Sequence, residues 1–410
     1  MERPLFKKTT LANGVRVVTE KHPYTEAISA GIWICVGSRD EKKEFMGMSH
    51  LLEHLVFKGT KKRSAYQLAQ VMEARGGDLN AFTTRESICF YATTLKKDLK
   101  LNLDVLMDLV CNATFPVHEY EKEKGVIQQE ISMYFDSHEE YIYDLFNEKV
   151  YGDHPMGWSI LGTSESVARI TRRDVIDFYR KMFRGENIIV SVCGAVEHED
   201  VLKAISPILG KIPKKAPKIK RTKPKYKRFT QDFYRDIEQS HILMGFEAPH
   251  LSHPLRFASF IVNTALGGGM TSILFQKIRE KRGLAYSVYS TTATSLDSGL
   301  TLIYAGTDSS KRDLVEEIIH KELRKLRKDG FTRSALERYK TQIKGFLIIN
   351  DDDLESRMNS LCLNEMVFGK YRTTEDVLKA IEDTQLKDID KFIDEYIVPS
   401  KISSLTMGPR

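Results

Sequence analysis

A short basic stretch divides this sequence into two parts, and no other feature constrains the fold as strongly. Residues Lys211–Arg228 contain ten Lys or Arg, three Pro, and no Gly, Asp or Glu. Proline removes backbone hydrogen-bond donors and the like charges repel one another, so this composition is typical of an interdomain linker. The strand and helix patterns that precede the stretch restart after it. We therefore predict a first domain at 1–210, a linker at 211–228 and a second domain at 229–410.

The second domain repeats part of the first at an offset of 214 residues. The repeat keeps its spacing across a helix, a loop and a strand, which favours duplication of a domain over a chance match. Both parts mix strand-like and helix-like segments, so we predict an α+β fold. It would consist of two homologous domains, each a mainly antiparallel β-sheet packed with helices. The matching positions are Asp174 with Asp388, Phe178 with Phe392, and Gly194 with Gly408.

The net charge of the chain is +6, which on its own suggests an acidic partner such as nucleic acid. The linker alone contributes +10, so the remaining residues carry +6 minus +10, or −4. No nucleic-acid-binding motif accompanies the basic stretch. No apolar run approaches the ~20 residues that a membrane-spanning helix needs. The sequence therefore predicts neither a nucleic-acid partner nor a membrane partner.

Five cysteines lie far apart in the sequence and form no C-x-x-C pair. This pattern indicates free thiols in a reducing compartment. The segment Met1–Lys8 lacks the apolar core of a secretory signal. Both observations predict a cytoplasmic protein.

The segment Ser49–Leu55 reads Ser-His-Leu-Leu-Glu-His-Leu and carries the most specific chemistry. His50 and His54 are four residues apart, so on a helix they lie on one face, one turn from each other. Two imidazoles placed in this way can bind one Zn²⁺ at about 2.0–2.1 Å each. Glu53 lies beside them, and such a carboxylate is the general base that a zinc hydrolase needs. The simpler interpretation, two ordinary polar histidines on a helix, stays open on this motif alone.

A catalytic zinc also needs a third protein ligand and one open position. Glu123 and Glu130 are seven residues apart on the helix predicted after Pro116, so they share a face. Glu119 and Glu121 are close by, and an acidic run of this kind is usually a solvated helix surface. Spacing alone does not choose among these four carboxylates.

Taken together, these residues resemble the inverted zincins, the family typified by pitrilysin, insulin-degrading enzyme and the mitochondrial processing peptidases. The resemblance begins with His50-Leu51-Leu52-Glu53-His54 and with Glu130, which follows His54 by 76 positions. It covers nearly the whole chain, whose length is similar to the short bacterial branch related to the processing peptidases. The other matching segments are Gly77–Thr83, Glu123 with Glu130, Gly267–Met270 and Arg279–Tyr286.

The resemblance implies a role for each residue of the candidate site. His50, His54 and Glu130 would be the ligands of one zinc ion. Glu53 would be the general base, and Glu123 would support the ligands. The implied activity is zinc-dependent endopeptidase cleavage of unfolded or extended peptides, with the inverted H-x-x-E-H motif.

The resemblance also implies how substrate is bound. Residues 77–83 would lead into an edge strand that pairs with the substrate backbone, a mode that demands an extended peptide. Arg279 and Tyr286 would reach the substrate from the other half of the enzyme. The edge-strand residues implied to contact substrate are Asn80, Ala81, Phe82 and Thr83.

The resemblance further implies an assembly. The family is built as a clamshell of two halves with two domains each, and this chain would supply one half. A homodimer with a closed chamber follows, in which Arg279 and Tyr286 of one chain face the zinc of the other. The alternative is a non-catalytic structural or partner subunit of the same fold. Such a subunit would lose the zinc ligands, whereas this chain keeps them.

The predicted duplication indicates how many zinc ions one chain binds. The second domain offers no anionic ligand where the first has Glu130, because a lysine stands there. We therefore predict one zinc per chain. At the offset of 214, His50 and His54 correspond to Thr264 and Gly268, Glu53 corresponds to Gly267, and Glu130 corresponds to Lys344.

Overall fold

A computed structural model describes residues 5–409. Met1–Pro4, half of the segment tested for a secretory signal, lie outside these residues. The strands are β1 (Leu5–Thr10), β2 (Arg16–Lys21), β3 (Ala27–Ile34), β4 (Asp78–Thr83), β5 (Ile88–Leu95), β6 (Ile188–Gly194), β7 (Thr230–Tyr234), β8 (Gln239–Glu247), β9 (Ala285–Thr294), β10 (Gly299–Asp308) and β11 (Ser403–Gly408). The helices are α1 (Met48–Val56), α2 (Ala65–Glu73), α3 (Leu99–Asn112), α4 (Val117–Asp136), α5 (His138–Tyr151), α6 (Ser164–Arg169), α7 (Arg172–Met182), α8 (His198–Leu209), α9 (Arg256–Gly267), α10 (Arg312–Asp329), α11 (Arg333–Asn350), α12 (Leu354–Phe368), α13 (Thr374–Glu382) and α14 (Leu386–Tyr396). Within residues 5–409, no helix combines the length and the apolar character that crossing a bilayer requires.

The chain forms two compact units, and each unit combines residues from both halves of the sequence. The predicted domains, 1–210 and 229–410, do not include this exchange, in which one segment from each half of the sequence joins the unit formed mainly by the other half. Unit 1 comprises Met1–Met133, Trp158–Arg221 and Asn350–Tyr371, and unit 2 comprises Tyr134–Gly157, Thr222–Ile349 and Arg372–Arg410.

The exchanged segments contain helices that bury apolar side chains against the sheet of the unit they join. In unit 2, α5 packs on β8 and β11, with Phe146 and Val150 fully buried. In unit 1, α12 packs on β2, β3 and β6, with Met358 and Cys362 fully buried. Apolar burial therefore decides where these helices lie, and their order along the chain does not.

Unit 1 is built on a six-stranded sheet in the order β1-β2-β6-β3-β5-β4. The β2–β6 pair is parallel and the other pairs are antiparallel. Side chains alternate between the two faces of a strand. Ile32 and Phe90 accordingly join the large core with residues of α1 and α3, whereas Trp33 and Cys89 join the cluster with α12. Among the described strands, β4 pairs only with β5, so one of its edges is open.

Unit 2 is built on a five-stranded sheet in the order β7-β11-β8-β10-β9. The β7–β11 pair is parallel and the others are antiparallel. Strands β2, β6, β3, β5 and β4 of unit 1 pair in the same order and directions. Duplication of a domain would produce such a match. One face of the sheet joins a core with α9 and α10, and the other joins a cluster with α5. This is the α+β fold that the sequence predicted.

The basic stretch at 211–228 contains neither helix nor strand, but it is not freely solvated. In unit 1, Arg221 Nε and Nη2 donate to the carboxylate of Asp40 at 2.8 and 2.7 Å. In unit 2, the Tyr226 hydroxyl donates to the carbonyl oxygen of Gly245 at 2.9 Å. The predicted linker is thus an irregular segment that hydrogen bonds hold in place, among them those of Arg221 and Tyr226.

Candidate active site

Helix α1 carries three of the predicted site residues on its less buried side. Leu51 and Leu55 are fully buried in the core of unit 1, which leaves His50, Glu53 and His54 only half-buried. The ring centroids of the two histidines are 4.6 Å apart. The predicted spacing of one helical turn therefore brings both imidazoles to the same place.

The N-terminus of α1 is fixed by a buried carboxylate. Glu41 accepts hydrogen bonds from the backbone N–H of Ser49 at 2.6 Å and of Gly47 at 2.9 Å, which satisfies amides that a helix start leaves unpaired. Burial raises the pKa of Glu41 to about 8. Gly47 has a φ of 90°, and a Cβ at this position would lie 2.5 Å from the carbonyl oxygen of Leu161. Only glycine fits this turn without strain.

Helix α4 brings Glu130 to the two histidines. The ligand atoms of His50, His54 and Glu130 all lie within 4.8 Å of one another. Glu130 Oε2 is 3.8 Å from His50 Nε2 and 3.6 Å from His54 Nε2. These distances are too long for hydrogen bonds, but they approach the ~3.4 Å between two ligands of a tetrahedral zinc with bonds of 2.0–2.1 Å. Two imidazoles and one carboxylate are a donor set that catalytic zinc sites use, so the residues fit the ion.

Glu123 contacts the other ring nitrogen of His54. It is 2% exposed, and its Oε2 lies 3.2 Å from His54 Nδ1. Its Oε1 lies 2.8 Å from Nζ of Lys58. A proton on Nδ1 that donates to Glu123 leaves the Nε2 lone pair free to face Glu130 and a metal.

Burial shifts the pKa of two groups on α1, His50 and Glu53. It lowers the pKa of His50 to about 4, and the neighbouring His54 contributes in the same direction. The imidazole of His50 is therefore neutral at pH 7, which is the form that binds a metal. The pKa of Glu53 is raised overall, because the effect of burial exceeds the lowering by the hydrogen bond from Thr83 and by the proximity of His54.

The four residues predicted to contact substrate lie on β4 in different surroundings. Ala81 packs against the core that includes α1, and Thr83 on the same face donates its hydroxyl to Glu53 Oε2. Phe82 packs on the opposite face, in the cluster with α12. Asn80 Oδ1 accepts from the backbone N–H of Ala81 at 2.8 Å. Of these four residues, Thr83 is the one that forms a hydrogen bond with the candidate base.

Arg279 and Tyr286 lie together in unit 2. Arg279 belongs to a π-helical turn, Phe275–Glu280, and Tyr286 lies near the start of β9. The guanidinium carbon of Arg279 is 4.8 Å from the ring centroid of Tyr286. The tyrosine side chain is 78% exposed, so its hydroxyl is available to a ligand.

Three interactions of the site were not predicted from the sequence. They join Glu41 to the start of α1, Lys58 to Glu123, and Thr83 to Glu53. Lys58 follows His54 by four residues, and this helical spacing is a signal that could have indicated it. The other two contacts depend on the turn at Gly47 and on the packing of α1 against β4. No local sequence pattern encodes either arrangement.

A second group of potential metal ligands in unit 1 has a different role. Side chains of Glu20, His22 and Cys193 also come close together. Both carboxylate oxygens of Glu20 accept from Arg357 Nη2, at 2.7 and 2.6 Å, and one accepts from the Tyr371 hydroxyl at 2.8 Å. A guanidinium already neutralises this carboxylate, and a metal cation would compete with it. The group is therefore a buried ion pair that holds α12 on the sheet.

Unit 2 offers no comparable centre among the residues that the structure describes. Thr264 and Gly267 lie at the end of α9, and Gly268 follows it. Lys344 pairs instead with Glu382 at 2.6 Å. The prediction that the second half binds no zinc stays a prediction.

Within residues 5–409, the fold and the cluster at α1 define an α+β protein with two similar sheets and one candidate metal centre. Sequence comparison gives the family. Residues 16–164 match the family described as Insulinase (Peptidase family M16), and residues 169–343 match the one described as Peptidase M16 inactive domain. The chain belongs to peptidase family M16, which confirms the resemblance to the pitrilysin-like peptidases.

Bacterial relatives are similar to this chain over nearly its full length. It is 34% identical over 386 residues to the uncharacterized zinc protease YmxG of Bacillus subtilis, and the match covers 94% of each protein. It is 33% identical over 405 residues to an uncharacterized zinc protease of Rickettsia felis, and this match covers 98% of each.

Solved structures share the fold. A protease from Helicobacter pylori superposes with a TM-score of 0.92 over 100% of both chains, at 24% identity. A peptidase M16 inactive domain from Pseudomonas fluorescens superposes with a TM-score of 0.92 over 99% of this chain and 98% of that chain, at 18% identity. At these identities the likeness concerns the fold alone.

Proposed function

We propose that this chain is a zinc-dependent endopeptidase that hydrolyses unfolded or extended peptides. The observation that carries the proposal is the convergence of His50, His54 and Glu130 in unit 1, with Glu53 on the same helix as both histidines. Membership of peptidase family M16 and relatives named zinc proteases support it.

The ligands would be His50 Nε2, His54 Nε2 and Glu130 Oε2. When bound there, zinc supplies a Lewis acid that lowers the pKa of water and polarises the scissile carbonyl. Glu123 keeps the His54 ring oriented through Nδ1, and Lys58 in turn neutralises Glu123. The ligand set therefore depends on two further side chains behind it.

Glu53 moves the proton. Its carboxylate accepts a proton from the water as the water oxygen attacks the carbonyl carbon of the peptide bond. It then passes that proton to the amide nitrogen as the C–N bond breaks, which leaves a carboxylic acid and an amine. The hydroxyl of Tyr286 from a second chain would donate to the oxygen that becomes negative during the attack.

Substrate would bind as an added strand on the open edge of β4. Backbone hydrogen bonds of this kind tolerate many sequences but require an extended chain. Asn80, Ala81 and Phe82 would line this strand, and Asn80 would release the N–H of Ala81 when the peptide pairs. Unfolded peptides are therefore the proposed substrates, and folded proteins are not.

The working unit would be a homodimer with a closed chamber, in which Arg279 and Tyr286 of one chain meet the zinc of the other. The stacked arrangement of this pair and the exposure of Tyr286 support the proposal. Arranged in this way, Arg279 and Tyr286 would present a cation and a hydroxyl to a polar ligand, such as the carbonyl groups of a bound peptide.

The proposed function is tested by comparing the wild type with Glu53→Gln. Both proteins are loaded with zinc, their zinc content is measured, and cleavage of an unstructured, internally quenched peptide is followed by fluorescence. We expect equal zinc content, and a loss of kcat of at least about 100-fold in the variant because the general base is gone. Equal cleavage by the two proteins would overturn the mechanism. A wild type that binds no zinc and cleaves nothing would favour the non-catalytic subunit.

A further inference from the structure

We infer that Thr83 is a positioning residue, which holds the carboxylate of Glu53 in the orientation needed to accept a proton. This inference rests on the function proposed above. The Thr83 hydroxyl donates to Glu53 Oε2. No other residue within 5–409 donates a hydrogen bond to the Glu53 carboxylate. Its second oxygen, Oε1, therefore accepts none.

The position of the Thr83 hydroxyl is fixed by the sheet. Thr83 is the last residue of β4 and pairs with Ile88 of β5, an inner strand of unit 1. Ala81, two residues earlier, packs against the core that includes α1, so the alternation of the strand directs Thr83 to the same face. A β-branched side chain also has few χ1 rotamers. The sheet therefore presents the hydroxyl to Glu53 from a defined point.

The carboxylate of Glu53 needs such a partner. Helix α1 fixes its backbone, but the last side-chain torsion of a glutamate is broad and poorly restrained. Without the bond from Thr83, this torsion would let the Glu53 carboxylate rotate away from the proposed zinc ligands. One hydrogen bond at Oε2 prevents the rotation and leaves Oε1 free to take the proton.

This role differs from contact with the peptide, which the family resemblance implied for Thr83. A residue that only binds substrate changes KM, whereas one that orients the base changes kcat. The two roles can therefore be separated by kinetics.

The test compares Thr83→Val, which keeps the shape and removes the hydroxyl, with Thr83→Ser, which keeps the hydroxyl. Thr93→Val is a matched control, because Thr93 lies on the adjacent strand β5 and bonds to Ser29, away from Glu53. We expect Thr83→Val to lower kcat about 10- to 100-fold with KM within about twofold, and Thr83→Ser and Thr93→Val to keep kcat within about threefold of the wild type. Zinc content and melting temperature are measured for all four proteins, and zinc content is expected to be equal.

A binding readout without turnover completes the test. In zinc-free protein, the Kd of the same peptide is measured by fluorescence anisotropy and is expected to be unchanged in Thr83→Val. A wild-type kcat in Thr83→Val, or a weaker Kd with kcat unchanged, would overturn the inference. If Thr83→Val unfolds, a kcat reduced more than about tenfold in folded Thr83→Ser would also count against it, because that variant keeps the hydroxyl.

Failure of the inference is distinguishable from failure of the proposed function. Active wild type, inactive Glu53→Gln and fully active Thr83→Val would remove the role of Thr83 and leave the peptidase. Equal cleavage by wild type and Glu53→Gln would remove both.

Discussion

Glu123 takes its role from its surroundings. A carboxylate that is 2% exposed would be costly to bury as an isolated charge, and it is stable here because His54 and Lys58 both contact it. The same contacts fix the ring of His54 and turn its Nε2 toward Glu130. One buried charge therefore serves both the packing of α4 and the orientation of a candidate metal ligand.

Glu121 shows the contrast within the same helix. It is exposed, and it lies outside the cluster at α1. Two glutamates two residues apart on α4 thus differ in burial and contacts because a helix turns them to different sides. This difference makes Glu121 a suitable control for any variant of the acidic residues of the site.

At the scale of elements, the site depends on where α1 begins. The left-handed φ of Gly47 lets the chain enter the helix beneath Leu161, and the carboxylate of Glu41 then binds the first amides. This geometry sets the rotation of the helix, and hence the direction in which His50 and His54 point.

Gly47→Ala is expected to destabilise unit 1. A side chain at a positive φ costs about 1–3 kcal/mol, and its Cβ would meet the carbonyl oxygen of Leu161 at 2.5 Å. Gly125→Ala is the control, because Gly125 lies inside α4 with nothing within 4 Å of its would-be Cβ. That variant should be about 0.5–1 kcal/mol more stable. Urea unfolding followed by circular dichroism measures both, and a wild-type midpoint for Gly47→Ala would contradict this account of the turn.

Much of the fold and part of the site could be predicted from the sequence, and the reasons are local. The α+β class and the shared face of His50 and His54 on α1 follow from periodicity, since four residues return a helix to the same side. The destinations of α5 and α12 could not be predicted, because they depend on which sheet buries their apolar side chains. The bond between Thr83 and Glu53 likewise joins two elements whose packing no spacing in the chain encodes.

At the scale of the whole molecule, the proposed dimer can be tested by mixing two inactive variants. Glu53→Gln keeps Tyr286 intact, and Tyr286→Phe keeps Glu53 intact. If each site combines residues of two chains, a mixed dimer contains one complete site. After random exchange of equal amounts, about half of the dimers are mixed, and each mixed dimer has one complete site out of two. We therefore expect activity to return to about a quarter of the wild type.

The control for this experiment mixes Glu53→Gln with His54→Ala. Both changes lie in unit 1, so every site of a mixed dimer remains defective, and no activity should return. A mixture of Glu53→Gln and Tyr286→Phe that stays equally inactive, although the chains exchange, would exclude a shared site.

The central claim is that His50, His54 and Glu130 bind one zinc ion, and zinc content tests it most directly. Wild type, Glu130→Gln and the matched control Glu121→Gln are purified, dialysed against zinc at low micromolar concentration and analysed by atomic emission. We predict about one zinc per chain in wild type and in Glu121→Gln, and little or none in Glu130→Gln, which loses an anionic ligand. Zinc-free wild type, or full zinc content in Glu130→Gln, would contradict the account.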